Sequence, residues 1–210
     1  LQRRYQMDRQ TSPRSLDVGE LRGEISAKYR EVANNPDQEF HFHHGRYMAT
    51  LLDYPDELLD RLPGAVVESF AGTGNPFSLG PINTGERVVD VGCGAGFDVI
   101  VASMKVGPAG HVTGVDMTPE MLEKAARNVA TLGLDNVDFR SGLAEDLPVD
   151  GESVDVVISN GAINLCPDKA EVYRELYRVL KPGGRLMVAD IIVQKTVPEE
   201  AKADVDLWSA

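Results

Sequence analysis

The chain has 210 residues, of which 42% are hydrophobic and 26% are charged, a balance typical of one globular domain with a modest appendage. Its net charge of −12 at pH 7 argues against nucleic acid or an anionic membrane as the main partner, because both attract basic surfaces. No apolar run could span a bilayer, no signal-peptide pattern opens the chain and two cysteines make no disulfide framework, so we expect a cytoplasmic protein.

The N-terminal region combines a polar stretch, a helix and a histidine cluster. Residues 1–20 are polar and rich in arginine, which predicts a poorly ordered leader, and apolar residues at helical spacing predict a helix over residues 21–33. His41, His43 and His44 follow. His41 and His43 share a face only in a strand, and no carboxylate or cysteine completes a ligand set. We therefore favour a packed or substrate-facing loop over a metal site.

Two short helices and a glycine-rich loop come next. Helices are predicted over residues 46–52 and 55–62, the second with Pro55 in its first turn. Residues 71–80 then contain a Gly-x-Gly pattern, but no Lys followed by Ser or Thr comes after it, which excludes a nucleotide P-loop. This loop is either a linker or a wall of an active site.

The centre of the chain reads as a strand, a glycine-rich turn and the start of a helix. Residues 87–98 are Arg-Val-Val-Asp-Val-Gly-Cys-Gly-Ala-Gly-Phe-Asp, and their valines favour a strand buried on both faces. Gly92, Gly94 and Gly96 allow a tight turn and a close approach of a ligand to the main chain. A helix over residues 97–106 would present free N–H groups, which suit an anionic group.

An acidic landmark follows in the next strand. Asp116 lies near the end of a strand predicted over residues 111–117, where an acid can accept hydrogen bonds from ribose hydroxyls. Asp90 stands two residues before Gly92. The spacing Gly-x-Gly-x-Gly departs from the dinucleotide pattern Gly-x-Gly-x-x-Gly, which disfavours a nicotinamide cofactor. The order strand, glycine turn, helix, strand and acid supports a binding site better than a glycine pattern alone.

The rest of the chain continues the alternation of strands and helices. Thr118 is predicted to cap a helix that starts at Pro119 and stops at Gly133. Strands alternating with helices five times predict a parallel, doubly wound α/β sheet with right-handed crossovers. The later strands are expected over residues 137–140, 154–159 and 185–193, and the later helices over residues 168–181 and 198–210.

The motifs resemble a known family. Asp-Val-Gly-Cys-Gly-Ala-Gly at 90–96 and Gly-Val-Asp-Met at 114–117 resemble the class I S-adenosylmethionine-dependent methyltransferases. Val-Asp-Met-Thr-Pro-Glu-Met-Leu at 115–122 and Val-Ile-Ser-Asn-Gly-Ala-Ile-Asn-Leu-Cys-Pro-Asp-Lys at 157–169 are similar to the arsenite methyltransferase branch. The resemblance implies a Rossmann-like sheet with strand order 3-2-1-4-5, S-adenosyl-L-methionine as the cofactor and a small-molecule methyl acceptor.

The resemblance also implies which residues bind the cofactor. The glycine turn would receive the methionine carboxylate, Asp116 would bind the ribose hydroxyls and Met117 would lie against the adenine face. Asn160 would lie near the methionine amino end, and Asp90 would hold that ammonium or orient the turn. Residues 143–145 would surround the adenine, with an acidic connecting loop as the alternative. The implied set is Asp90, Gly92, Cys93, Gly94, Gly96, Asp116, Met117, Leu143, Ala144, Glu145 and Asn160.

The cysteines bear on whether the acceptor is a metalloid, because trivalent arsenic is soft and is held by thiolates. The family usually places a cysteine directly after the asparagine that ends strand four, where this chain has Gly161, and the family's N-terminal cysteines are also absent. Asn160 and Cys166 are the candidate catalytic residues, with a semi-buried core thiol as the alternative for Cys166. We expect an acceptor that is arsenite-like or another small molecule.

The chain divides into residues 1–80, a helical and loop extension that covers the active site, and residues 81–210, the methyltransferase core. The antiparallel hairpin that the family adds after strand five is missing, which would leave an open apolar edge. We therefore expect a piece of a longer protein. Two alternatives stay open, a cofactor-binding protein without catalysis and an NAD-dependent oxidoreductase.

Overall fold

The computed structural model describes residues 16–34, 44–198, 201, 204 and 208. Within them the chain forms a parallel sheet with the order β3-β2-β1-β4-β5, which confirms the predicted fold class and strand order. The strands are β1 (Arg87–Val91), β2 (His111–Asp116), β3 (Val137–Ser141), β4 (Val154–Asn160) and β5 (Leu180–Ala189). The helices are α1 (Val18–Asn34), α2 (Gly45–Leu51), α3 (Asp56–Leu59), α4 (Gly64–Val67), α5 (Phe97–Val106), α6 (Pro119–Thr131) and α7 (Lys169–Val179).

The central strands are buried on both faces, which explains their runs of valine. Val88 and Val156 pack in one cluster with the apolar side of α5. Val89 and Val157 point to the other face and pack in a second cluster with Leu176 of α7. A strand covered by helices on both faces needs apolar residues at successive positions rather than at alternate ones.

An aromatic cluster fixes the N-terminal helices beside the glycine turn. The ring of Tyr54 lies 5.1 Å from that of Phe70 and 5.3 Å from that of Phe97, and the rings of Phe70 and Phe97 lie 4.8 Å apart. All three side chains are buried. Because Phe97 is the first residue of α5, this cluster holds the segment before β1 against the start of that helix.

The end of the sheet differs from the prediction. Strand β5 begins at Leu180, although residues 182–184 were expected to separate the helix from the strand. Its pairing with β4 shifts register between Val154 and Val156, so a bulge accommodates the Pro-Gly-Gly sequence inside the strand. The strand ends at Ala189, and the side chains of residues 191–193 are exposed.

Some helix boundaries also differ from the predicted ones. Helix α1 begins at Val18, because the Asp17 carboxylate accepts hydrogen bonds from the backbone N–H groups of Gly19 and Glu20. Helix α2 begins and ends one residue earlier than predicted, and α3 is shorter than predicted. Thr118 occupies the N-cap position of α6 and Pro119 begins the helix, as predicted, but the Thr118 side chain makes no capping bond. Its backbone N–H donates to Asp116.

Several predictions fall partly or wholly beyond the described residues. Residues 1–15 of the expected leader lie there, as do His41 and His43. Of the helix predicted over residues 198–210, Ala201 is helical, Asp204 is not, and Trp208 has 3-10 conformation. No helix in the described part of the chain has the length and apolarity needed to cross a membrane.

Candidate active site

A cavity opens at the carboxyl ends of β1, β2 and β4, the edge at which parallel α/β sheets bind ligands. Its walls come from the glycine turn, the turn after β3, the loop before β1 and helix α1. Gly94 and Gly96 belong to the glycine turn but do not line the cavity. The residues singled out in the sequence that do line it are Asp90, Gly92, Cys93, Asp116, Met117, Leu143, Ala144, Glu145, Asn160 and Cys166.

The turn after β1 depends on glycine for both conformation and packing. Gly92 and Gly96 have φ angles of +73° and +84°, which other residues rarely adopt. A Cβ on Gly92 would collide with the Cβ of Ala162, and a Cβ on Gly96 would lie 3.0 Å from the Cβ of Ala125 in α6. Gly92 therefore lets the turn approach the loop after β4, and Gly96 lets α6 pack against it.

Asp116 joins the end of β2 to the glycine turn. Its Oδ2 accepts a hydrogen bond from the N–H of Gly94 and its Oδ1 accepts one from the N–H of Thr118, both at 2.9 Å. Each carboxylate oxygen can accept more than one hydrogen bond, so hydroxyl groups of a ligand in the cavity can bind the same two oxygens. Burial raises the pKa of Asp116, because a carboxylate is harder to ionise away from water.

The cavity is acidic. Burial, followed by repulsion from Asp98 and Asp116, raises the pKa of Asp90 well above its usual value. Burial also raises the pKa of Asp98 to about 6. Among the described residues that line the cavity, Arg22 is the one basic residue, and its guanidinium lies 3.2 Å from the Glu145 carboxylate. A cationic ligand would relieve the repulsion among these carboxylates.

The side chain of Asn160 is bound by other protein groups. Its Oδ1 accepts hydrogen bonds from the N–H groups of Thr73 and Gly74, at 2.8 and 3.0 Å. Its Nδ2 donates to the carbonyl of Gly74 at 2.8 Å and to Oδ2 of Asp98 at 2.9 Å. The hydroxyl of Tyr54 donates to Oδ1 of Asp98 at 2.6 Å. The loop before β1 is thus attached to the end of β4, which favours a wall over a linker.

Helix α1 supplies lining residues that the sequence analysis did not place in the site. Arg22, Ile25 and Tyr29 lie along one face of the helix and line the cavity. Burial, then the nearby charges of Asp116 and Asp190, raises the pKa of Tyr29 to about 12. Apolar residues at helical spacing predicted the helix, but such spacing does not distinguish a side chain in the core from one that lines a cavity.

Both thiols of the chain line the cavity, and neither is activated. Burial raises the pKa of Cys93 well above its usual value. Burial, followed by the charge of Glu145, raises the pKa of Cys166 to about 12. Both are therefore protonated at neutral pH, whereas metalloids bind thiolates.

Of the histidine cluster, His44 is among the described residues. His44 precedes α2 at its N-cap position without a side-chain capping bond. His41 and His43 are not among the described residues. In the described part of the chain, no group of three or more His, Cys, Asp or Glu side chains is arranged to hold a metal ion.

The chain belongs to the family described as "Methyltransferase domain", whose model matches residues 82–209. It is 50% identical over 135 residues to the arsenite methyltransferase of Halobacterium salinarum, covering 64% of this chain and 34% of that protein. The family resemblance seen in the motifs is thereby confirmed. The chain spans about a third of the length of this curated relative.

Solved structures agree with the fold. The arsenic(III) S-adenosylmethionine methyltransferase from Chlamydomonas reinhardtii superposes with a TM-score of 0.62 at 41% identity, over 70% of this chain and 52% of that one. A SAM-dependent methyltransferase from Aquifex aeolicus superposes with a TM-score of 0.57 at 25% identity, over 83% of this chain and 79% of that one. Both likenesses accord with the Rossmann-like sheet described above.

Proposed function

We propose that this chain transfers a methyl group from S-adenosyl-L-methionine to a small-molecule acceptor. One observation carries the proposal: the cavity at the carboxyl ends of the central strands combines a glycine turn with three aspartates. Such a site suits a ligand that has both hydroxyl groups and positive charge, as this cofactor has. Membership of the methyltransferase family and the names of the relatives support the same activity.

The cofactor would lie along the strand ends from the glycine turn to the turn after β3. The carboxylate of Asp116 would accept hydrogen bonds from the ribose hydroxyls, and Met117 lies beside it in the cavity lining. Residues 143–145 would surround the adenine, and Arg22 pairs with Glu145 at that end. Asp90, which is buried and faces the cavity, would hold the ammonium of the methionine part.

The chain contributes binding, orientation and exclusion of water. The bound cofactor would supply a methyl group activated on a positively charged sulfur. Asp90 and Asp98 would be stabilised in their ionised forms by this cation, because burial alone disfavours their charge. Helix α1 and the loop before β1 cover the cavity and would keep water from the reacting atoms. Methyl transfer to a soft nucleophile needs no strong acid or base, so orientation is the main requirement.

The acceptor is proposed to be arsenite or another small nucleophile. The identity with the arsenite methyltransferase of Halobacterium salinarum favours arsenite. Capture by several thiolates has less support. Gly161 carries no thiol, and a Cβ there would lie 2.9 Å from Cγ2 of Thr73. The two remaining thiols, Cys93 and Cys166, have raised pKa values.

Calorimetric titration tests the cofactor assignment. S-adenosylhomocysteine should bind the wild-type chain, and Asp116→Ala should weaken the binding by about 1–3 kcal/mol through loss of hydrogen bonds to the ribose. Asp135→Ala is the matched control, because Asp135 is an exposed acid on the loop before β3. Equal affinity in both variants would show that Asp116 does not bind the ribose. A preference for NAD over S-adenosylmethionine would overturn the proposed function.

Turnover separates an enzyme from a non-catalytic binder. Arsenite with glutathione is the first acceptor to test, with formation of S-adenosylhomocysteine as the readout. Cofactor binding together with product formation would support the proposal. A chain that binds the cofactor but forms no product with arsenite or with organic thiols and amines would be a binding protein.

A further inference from the structure

Residues 72–74, the latch segment, lie so close to the ends of two strands that side chains would not fit at residues 72 and 74. A Cβ on Gly72 would collide with the Asn160 side chain at the end of β4. A Cβ on Gly74 would lie 2.6 Å from the Cβ of Ala189 at the end of β5. The Gly-Thr-Gly sequence therefore permits a close contact between the segment and the sheet. Gly72 and Asn160 both line the cavity, so this contact forms part of its wall.

Asp98 and the carbonyl of Gly74 both accept hydrogen bonds from Nδ2 of Asn160 and together set the orientation of its amide. A carboxylate only accepts hydrogen bonds, so the amide of Asn160 must turn its Nδ2 towards Asp98. Its Oδ1 is then directed to the N–H groups of Thr73 and Gly74. Tyr54 occupies the other carboxylate oxygen of Asp98 and leaves Oδ2 for Asn160. Asn160 Nδ2 also donates to the Gly74 carbonyl at 2.8 Å and to the Tyr54 hydroxyl at 3.3 Å, so the latch segment both donates to Asn160 and accepts from it, and Tyr54 contacts Asn160 directly.

We infer that Tyr54 and Asp98 are positioning residues, which act through Asn160 to hold the latch segment as the acceptor-side wall of the cavity. This wall is assigned to the methyl acceptor on the basis of the proposed function, in which the cofactor lies along Asp116 and residues 143–145. The latch segment meets the cavity at Asn160, away from that end. Neither Tyr54 nor Asp98 was identified as functional from the sequence.

The ionisation of Asp98 gives the inference a second readout. Its carboxylate is faced by the Tyr54 hydroxyl, the Asn160 amide and the charge of Asp90. The hydroxyl and the amide favour the ionised form, although burial raises the pKa to about 6. Removing the Tyr54 hydroxyl should raise the pKa of Asp98 further, and the acid limb of the kcat profile should move to higher pH.

The test compares Asp98→Asn and Tyr54→Phe with Thr113→Val. In wild type, the Thr113 hydroxyl on β2 donates to the Asp138 carboxylate on β3 at 2.8 Å. Neither residue lines the cavity, so Thr113→Val removes a comparable hydrogen bond elsewhere in the fold. Amide hydrogen exchange of Thr73 and Gly74 should accelerate at least tenfold in the first two variants and stay unchanged in the control. Exchange in β1 should be unchanged in all three, which excludes general destabilisation.

Binding and turnover complete the test. S-adenosylhomocysteine should bind Tyr54→Phe, whose altered residue does not line the cavity, within about threefold of wild type, while kcat with arsenite and glutathione falls tenfold or more in both variants. Unchanged exchange at residues 73 and 74 in both variants would overturn the inference. If Asp98→Asn does not fold, Tyr54→Phe alone decides. If wild type binds no S-adenosylhomocysteine, the proposed function fails, whereas the exchange comparison still tests the latch.

Discussion

Gly161 shows how a single residue can limit what the cavity holds. Its φ is +72°, and a Cβ there would lie 2.9 Å from Cγ2 of Thr73. The related family places a cysteine at this position, but here Thr73 of the latch segment approaches the space that such a side chain would need. A thiol at residue 161 would therefore require both backbone strain and a shift of the latch.

Gly161→Ala should lower the free energy of unfolding by about 2–3 kcal/mol, of which about 1–2 kcal/mol comes from the left-handed backbone. The matched control is Gly133→Ala, because Gly133 has a similar φ of +63° and nothing within 4 Å of its Cβ position. Urea denaturation measures both. The extra loss of unfolding free energy in Gly161→Ala, compared with the control, measures the clash with Thr73. Adding Thr73→Gly to the Gly161→Ala variant should restore that part of the stability. Equal losses of unfolding free energy in the two alanine variants would show that Thr73 moves aside without an energetic cost.

At the scale of elements, α1 is attached over the cavity by an ion pair at each end. Arg22 pairs with Glu145 at 3.2 Å, and Arg30 pairs with Glu120 of α6 at 2.6 Å. Tyr29, which lies between them, packs against the cluster that Val32 forms with Ala95 of the glycine turn. The apolar contacts hold the helix, whereas the ion pairs set its position along the cavity.

Arg22→Met should weaken binding of S-adenosylhomocysteine by about two- to fivefold, since exposed pairs contribute at most about 1 kcal/mol and only the Glu145 side of this pair is well buried. The salt dependence of that binding should also fall. Calorimetry at two salt concentrations measures both effects. Arg127→Met is the control, because Arg127 pairs with Glu123 within α6 on the exposed surface. The same loss in both variants would mean that α1 does not act through Glu145.

Most helices and strands were predicted well from the sequence, because the patterns that indicate them are local. Runs of valine indicated the buried strands. Helix α5 was predicted to follow the glycine turn, and its predicted bounds, residues 97–106, are the observed ones. Strand β5 was predicted to start late, because a Pro-Gly-Gly sequence normally ends an element, and pairing with β4 across a bulge overrides that preference. Tertiary pairing of this kind leaves no mark in the local sequence.

The candidate site was predictable to the extent that it lies at strand ends. Asp90, Asp116 and Asn160 all belong to strands whose carboxyl ends must meet at one edge of a parallel sheet. The link from Tyr54 through Asp98 was not predictable, because it joins residues that are distant in sequence through side-chain hydrogen bonds. Such bonds depend on the packed aromatic cluster beneath them, which no short motif encodes.

At the scale of the whole molecule, acidic groups fall into two sets with opposite effects on stability. Glu86, whose pKa is lowered to about 2 chiefly by Arg185, and Asp155, which accepts from Lys181, lie away from the cavity lining. Groups of this set stabilise the fold once they are ionised, above about pH 4.5. The cavity aspartates have raised pKa values and do the reverse. The binding site therefore lowers the stability of the molecule at neutral pH.

The free energy of unfolding should consequently fall as pH rises from about 5 to 7. In this window the native state binds more protons than the unfolded chain, because the pKa of Asp98 rises from 3.8 to about 6 on folding. The loss should be on the order of 1–3 kcal/mol. Urea titrations across the window measure it, and Asp98→Asn should flatten the slope. Asp135→Asn, which removes a charge from the exposed surface, should leave the slope in place. A slope unaffected by Asp98→Asn would assign the pH dependence to the overall negative charge rather than to the cavity.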